Sequence, residues 1–153
     1  MSEAVPRAVV EAFYAAYAAR DVAKIAPFLD DDVEWTINGP VDYMQFCGTH
    51  RGKADVLDLI ERQVPAVLRT FSFVPDAIVV DGDQVAMLSR QSSKRAVDGR
   101  VISFRVANFM RFRDGRIVEN LSLLDSFDAV EQVLGQPLDV HHGLSREDDR
   151  AAV

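Results

Sequence analysis

Apolar positions in this chain follow two periods, and the switch between them lays out the architecture. Within residues 4–20, Val9, Phe13 and Tyr17 recur at i, i+4 and i+8 with Val10 and Tyr14 beside them, one apolar stripe along a helix. Asp21 suits the cap of a short second helix carrying Val22, Ile25 and Phe28. Residues 33–37, VEWTI, alternate as a short strand. Helical spacing returns over 52–68, where Val56, Leu57, Ile60, Val64, Val67 and Leu68 share one side, and Pro65 is expected to kink or end the helix. Period two then takes over. Asp81-Gly82, Asp98-Gly99 and Asp114-Gly115 punctuate it at nearly even spacing, and Asp-Gly between alternating runs marks a hairpin. Four antiparallel strands follow, near 71–80, 84–96, 100–112 and 116–124, long enough for a strongly twisted meander. DSFDAVEQVLGQP then reads as a short helix, capped by Asp125 or Ser126 and ended by Gly135.

Helices preceding a curved antiparallel sheet pack on one of its faces, so the expected class is α+β: a cone of sheet closed by N-terminal helices. The apolar mouth of such a cone is the default binding site. One domain over 1–138 and a polar tail over 139–153 are expected. The length of 153 residues, with 48% hydrophobic and 27% charged, suits an ordinary globular core. A formal charge of −7 argues against a nucleic-acid partner bound through phosphates. No apolar run is long enough to span a membrane, and the N-terminus lacks the pattern of a secretory signal. A single cysteine, Cys47, excludes an internal disulfide. A cytoplasmic location is the expectation. His141 and His142 have no further ligand at metal-binding spacing, so neither a metal nor another cofactor is expected.

The candidate chemistry starts with RVANFMRF, residues 105–112. One face of that strand carries Val106, Met110 and Phe112, with Asn108 among them. An amide NH₂ donates at any pH and would hold a ligand carbonyl or an oxyanion. Asn120 and Ser122 share a face with Val118 and Leu124 by parity. Arg90 shares parity with Ala86, Leu88 and Ser92. It is either a buried cation needing a partner, Asp125 being the first choice, or a solvent-facing arginine. Asp125 is itself a helix cap or an acid. His50, the one histidine outside the tail, is the candidate general base near neutral pH. It lies in residues 43–50, YMQFCGTH, read as an irregular stretch that would form a lid. Cys47 has nothing nearby to lower its pKa and make it a nucleophile. Trp35, Phe46, Phe104, Met110 and Leu124 would form the walls. The opposite parity, with Ser103, Arg105, Ala107, Phe109 and Arg111, fits an outer face. Ala107 and Phe109 would centre a homodimer interface there.

FYAAYAARDVAKIAPFLDDDVEW, GTHRGKADVL, FMRFRDGRIVENLSLLDSF and VEQVLGQPL, in that order, resemble the NTF2-like superfamily, especially its SnoaL-like and ketosteroid-isomerase-like branches. The resemblance covers roughly residues 7–138. It implies a cone-shaped, cystatin-like α+β barrel, usually dimeric, with a deep pocket. Members isomerise ketosteroids, cyclise polyketides, open epoxides or bind ligands without chemistry. The resemblance places the isomerase general base at Ile37, its tyrosine donor at Phe13 and its protonated aspartate at Asn108. Tyr17, one turn from Phe13, is the substitute donor. The aspartate of cyclases and epoxide hydrolases falls at Ser122, and the arginine of the hydrolases at Arg90, whose acidic partner reads Ser92. The ligand implied is small and mostly apolar, with a carbonyl or hydroxyl group. Isomerase- or cyclase-type proton transfer through Asn108, Asp125 or His50, epoxide-hydrolase-like chemistry, and a non-catalytic binding or accessory dimer all stay open.

Overall fold

The computed structural model describes residues 3–138. The expected polar tail therefore lies outside the described residues. Helix α1 (Arg7–Ala18) is followed by the single turn α2 (Val22–Ile25), capped by Asp21, whose side chain accepts the Lys24 N–H at 3.2 Å. Strand β1 (Leu29–Asn38) runs to the short β2 (Gly48–Arg51). Then come α3 (Lys53–Asp58), a π-helical turn over Leu59–Gln63, and α4 (Val64–Val67). Pro65 supplies no N–H and crowds the turn before it, which accounts for the widened π turn directly upstream. The long strands β3 (Leu68–Asp81), β4 (Gln84–Arg95), β5 (Val101–Arg113) and β6 (Arg116–Leu124) precede α5 (Ser126–Leu134), which Gly135 ends in the left-handed conformation.

The six strands form one curved, unclosed sheet in the order β2-β1-β6-β5-β4-β3. The expected meander is the antiparallel run β3 to β6, and β1 joins it by pairing parallel to β6. Three details depart from the expectation. Residues 48–51 are an edge strand on β1, so the stretch read as irregular is partly sheet. Leu68 begins β3 instead of ending a helix. A bulge at Val118 brings Ile117, fully buried, onto the inner face with Asn120 and Ser122, where plain alternation predicts Val118. At the last hairpin Asp114 and Gly115 both take positive φ, 51° and 73°, and Arg113 pairs with Arg116 across them. That is the two-residue loop whose twist matches the flanking strands.

The inner face of the sheet carries the core. Along β5 every second residue from Ile102 to Phe112 is buried. Phe13 of α1 is the hub, with ring contacts to Tyr14, Tyr17, Phe28 and Trp35. These rings fill the part of the cone under α1.

Candidate functional site

Cross-strand register sorts the inner face into rows. One row runs Ile37–Ser122–Asn108–Met87 across β1, β6, β5 and β4. The next runs Trp35–Asn120–Met110–Val85. Members of one row stand side by side on the pleat. A cavity with about 40 Å³ of free volume lies over the first row. Ile37, Ser122, Asn108, Leu124, Val106, Phe104 and Gln91 line it from the sheet. Phe46, Val64, Leu68 and Thr70 close its sides, and Tyr17 and Arg20 line it from the end of α1. Trp35, Asn120 and Met110 sit one row deeper and do not reach it. Trp35 stacks on Tyr17 there, ring centroids 6.4 Å apart.

Three polar side chains interlock at the floor. The Asn108 Nδ2 group donates to Ser122 Oγ at 2.7 Å and to Asn120 Oδ1 at 3.4 Å. Asn120 Nδ2 donates to the same Ser122 Oγ at 3.0 Å. Both protons of the Asn108 amide are thus engaged, so its NH₂ group is not the one left for a ligand. Within this trio, the groups without a partner among the described residues are Asn108 Oδ1, an acceptor, the Ser122 hydroxyl proton, a donor, and the second Nδ2 proton of Asn120. Asn120 does not line the cavity, so its remaining proton is not presented to a ligand.

The remaining candidates stand elsewhere. His50 Nε2 lies 3.0 Å from the Phe46 carbonyl. A carbonyl only accepts, so Nε2 carries a proton, and Nδ1 faces Asp55 Oδ2 at 3.4 Å. Neither nitrogen serves the cavity. Asp125 is exposed at the start of α5, where its backbone carbonyl accepts the Ala129 N–H. Arg90 is exposed on the outer face, paired across the ladder with Arg105. Its neighbours Ser89 and Gln91 point inward instead. Cys47 is buried, and desolvation pushes its thiol up to about 11, the reverse of nucleophile activation. Tyr14 stacks on Phe73, and its hydroxyl is buried without a hydrogen-bond partner among the described residues, which drives its pKa upward.

Arg20, Thr70 and Gln91 are cavity residues that sequence reasoning passed over. Arg20 adopts φ 54°, a left-handed conformation rare outside glycine and costing roughly 1–2 kcal/mol. It ends α1: the Arg20 N–H donates to the Tyr17 carbonyl at 3.1 Å and the Asp21 N–H to that of Ala16 at 3.4 Å. Glycine ordinarily takes this position. The Arg20 guanidinium lies over the Tyr17 ring, 4.4 Å from its centroid. Helical spacing ends at this residue, and that stop is the one signal in the sequence that singles it out.

On the outer face, Val79, Ala86, Phe109 and Leu121 align across four strands. Val79 and Phe109 are exposed by 60% and 50%. Together they form an apolar row on the outer sheet face.

A family model described as a SnoaL-like domain matches residues 10–120. A protein from Rhodopseudomonas palustris to which isomerase activity is provisionally ascribed is 34% identical, with a TM-score of 0.72 over 83% of this chain and 93% of that one. An NTF2-like protein from Burkholderia thailandensis is 26% identical, with a TM-score of 0.73 over 87% of this chain and 98% of that one. A Mycobacterium tuberculosis LEH-like epoxide hydrolase is 21% identical, with a TM-score of 0.66 over 83% and 87%, a likeness of fold alone. No curated protein matches the chain significantly.

Proposed function

The chain belongs to the SnoaL-like family within the NTF2-like superfamily, and on that premise we propose that it binds a small, mostly apolar molecule bearing a hydroxyl or carbonyl group, without proton-transfer chemistry of its own. The observation that carries this reading is the unspent pair at the floor of an otherwise largely apolar cavity. A ligand hydroxyl would donate to Asn108 Oδ1 and accept from the Ser122 hydroxyl. Of this pair, a ligand carbonyl would use Ser122 alone. The free volume of about 40 Å³ holds a few water molecules and falls far short of the several hundred Å³ of a typical drug-sized site. The ligand is therefore compact, or Tyr17 and Arg20 move aside to admit it.

Proton transfer lacks its agent. No Asp, Glu, His, Cys or Lys lines the cavity among the described residues. Ile37 does face the cavity where the resemblance puts the general base, and a hydrocarbon side chain moves no proton. The epoxide-hydrolase reading loses its arginine, since Arg90 is on the other face. Isomerase chemistry is the second reading, favoured by the relative from Rhodopseudomonas palustris. In it Ser122 would polarise a carbonyl, and the substrate would have to bring its own base.

Phenol and benzaldehyde separate the two polar contacts in a thermal-shift and calorimetric titration. Asn108→Leu should weaken phenol and leave benzaldehyde nearly unchanged. Ser122→Ala should weaken both. Binding indifferent to both substitutions, or absent for both probes, overturns the proposal. The same reading includes a homodimer through the outer row, for which Phe109→Glu should yield a monomer in light scattering.

A further inference from the structure

We propose that Arg20 is an anion-recognition residue, so that the ligand carries a carboxylate or an equally acidic enol at the end opposite its hydroxyl or carbonyl. This deepens the binding reading above and rests on it. Arg20 lines the cavity with Tyr17, at the end of α1, and is partly buried. Its contact is the Tyr17 ring, and no carboxylate stands within ion-pair distance of it among the described residues. Its chain neighbour Asp21 is engaged elsewhere, capping α2 at the Lys24 N–H and pairing with the Lys24 ammonium at 3.7 Å. A guanidinium presents five donors in a planar fork, and an aromatic face occupies none of them. The fork therefore retains its capacity for a bidentate anion beside a cavity without any acidic side chain. Glycine would occupy this left-handed position without strain, so the arginine is not there to stabilise the helix end. The rest of the chain carries net negative charge, which disfavours nonspecific anion binding and leaves selectivity to this local geometry.

The test uses 4-hydroxybenzoate and 4-hydroxybenzamide, equal in shape and in their phenol group and different in charge. Calorimetry on the full chain should give a preference of about tenfold or more for the carboxylate, the scale of one charge-assisted hydrogen bond. Arg20→Gly should remove that preference while raising the melting temperature, and Arg20→Lys should keep part of it. Asn108→Leu should weaken both probes by the same factor and leave the preference intact. Equal affinity of the two probes for the wild type overturns the role of Arg20 and leaves the pocket reading standing. A preference that survives Arg20→Gly, or a loss of both probes in that variant, also overturns it. Failure of both probes to bind the wild type overturns this inference and the binding reading together.

Discussion

Two neighbouring rows of one sheet face, a single pleat step apart, have opposite fates. In the row Ile37–Ser122–Asn108–Met87 the first three residues border open space, whereas the row Trp35–Asn120–Met110–Val85 does not reach it. Each contains an asparagine. Asn120 is 1% exposed and turns its amide to its two neighbours, while Asn108 keeps a carbonyl in reserve at the cavity floor. Residue type does not separate the two rows. What separates them is the volume that α1 delivers above each: Phe13 and Tyr17 pack on Trp35 and close the space over its row. A polar group on an apolar face is a structural clasp where aromatic rings cover it and is left facing free volume where they do not.

The largest perturbation of that contrast is removal of the hub. Phe13 is 1% exposed, and Phe13→Ala should cost about 3–5 kcal/mol by chemical denaturation while enlarging the cavity toward the closed row. If the protein then admits bulkier apolar ligands, volume is the deciding term. If it simply collapses with no gain in ligand size, the rows are not separated by volume. Next come the asparagines. Asn120→Leu leaves one Asn108 proton without an acceptor and one donor missing at Ser122, and should cost about 1–3 kcal/mol. Asn108→Leu leaves Ser122 with its Asn120 bond and should cost less than Asn120→Leu, its main effect falling on ligand binding. Equal costs would mean that the two amides play one role. Arg20→Gly reverses the sign, with an expected gain of about 1 kcal/mol from relief of the left-handed strain. Denaturation curves rank all four variants.

How far the rows were legible beforehand depended on the strand. On β5 the alternation was unambiguous, because Arg105 and Arg111 oppose Val106, Met110 and Phe112, and the buried face followed directly. The three Asp-Gly turns set the meander for the same reason: only a few turn chemistries suit a tight hairpin. On β4 both parities carry apolar residues, Val85 and Met87 on one and Ala86 and Leu88 on the other. Alternation alone does not choose between them: it leaves Arg90 a candidate for the cavity, where Gln91 in fact stands. The bulge at Val118 left no local mark, since Ile117 and Val118 are equally suited to burial. The parallel pairing of β1 with β6 joins residues far apart in the chain, so the register that sets Ile37 beside Ser122 was beyond any local pattern. Cavity size was illegible for a related reason: it is the small remainder after many rings have packed.

The smallest expected effect concerns the turn that keeps both rows in register. Asp98 sits between β4 and β5, where its carboxylate accepts the Arg100 N–H at 3.0 Å and ion-pairs with Arg95 at 2.7 Å. Those contacts, led by the Arg100 backbone bond, hold its pKa below the usual 3.8. A folded-state pKa below the unfolded one means that the group adds stability above the unfolded value and loses it as pH falls through the folded one. Asp98→Asn should therefore lower stability slightly at neutral pH, and the gap from wild type should shrink below about pH 4. Because the turn governs both rows alike, the loss should leave the phenol affinity unchanged wherever the protein is folded. A pH-independent gap would show that the Asp98 charge contributes nothing to the hairpin. A parallel drop in phenol affinity would mean that register, and not the volume above each row, controls the open site.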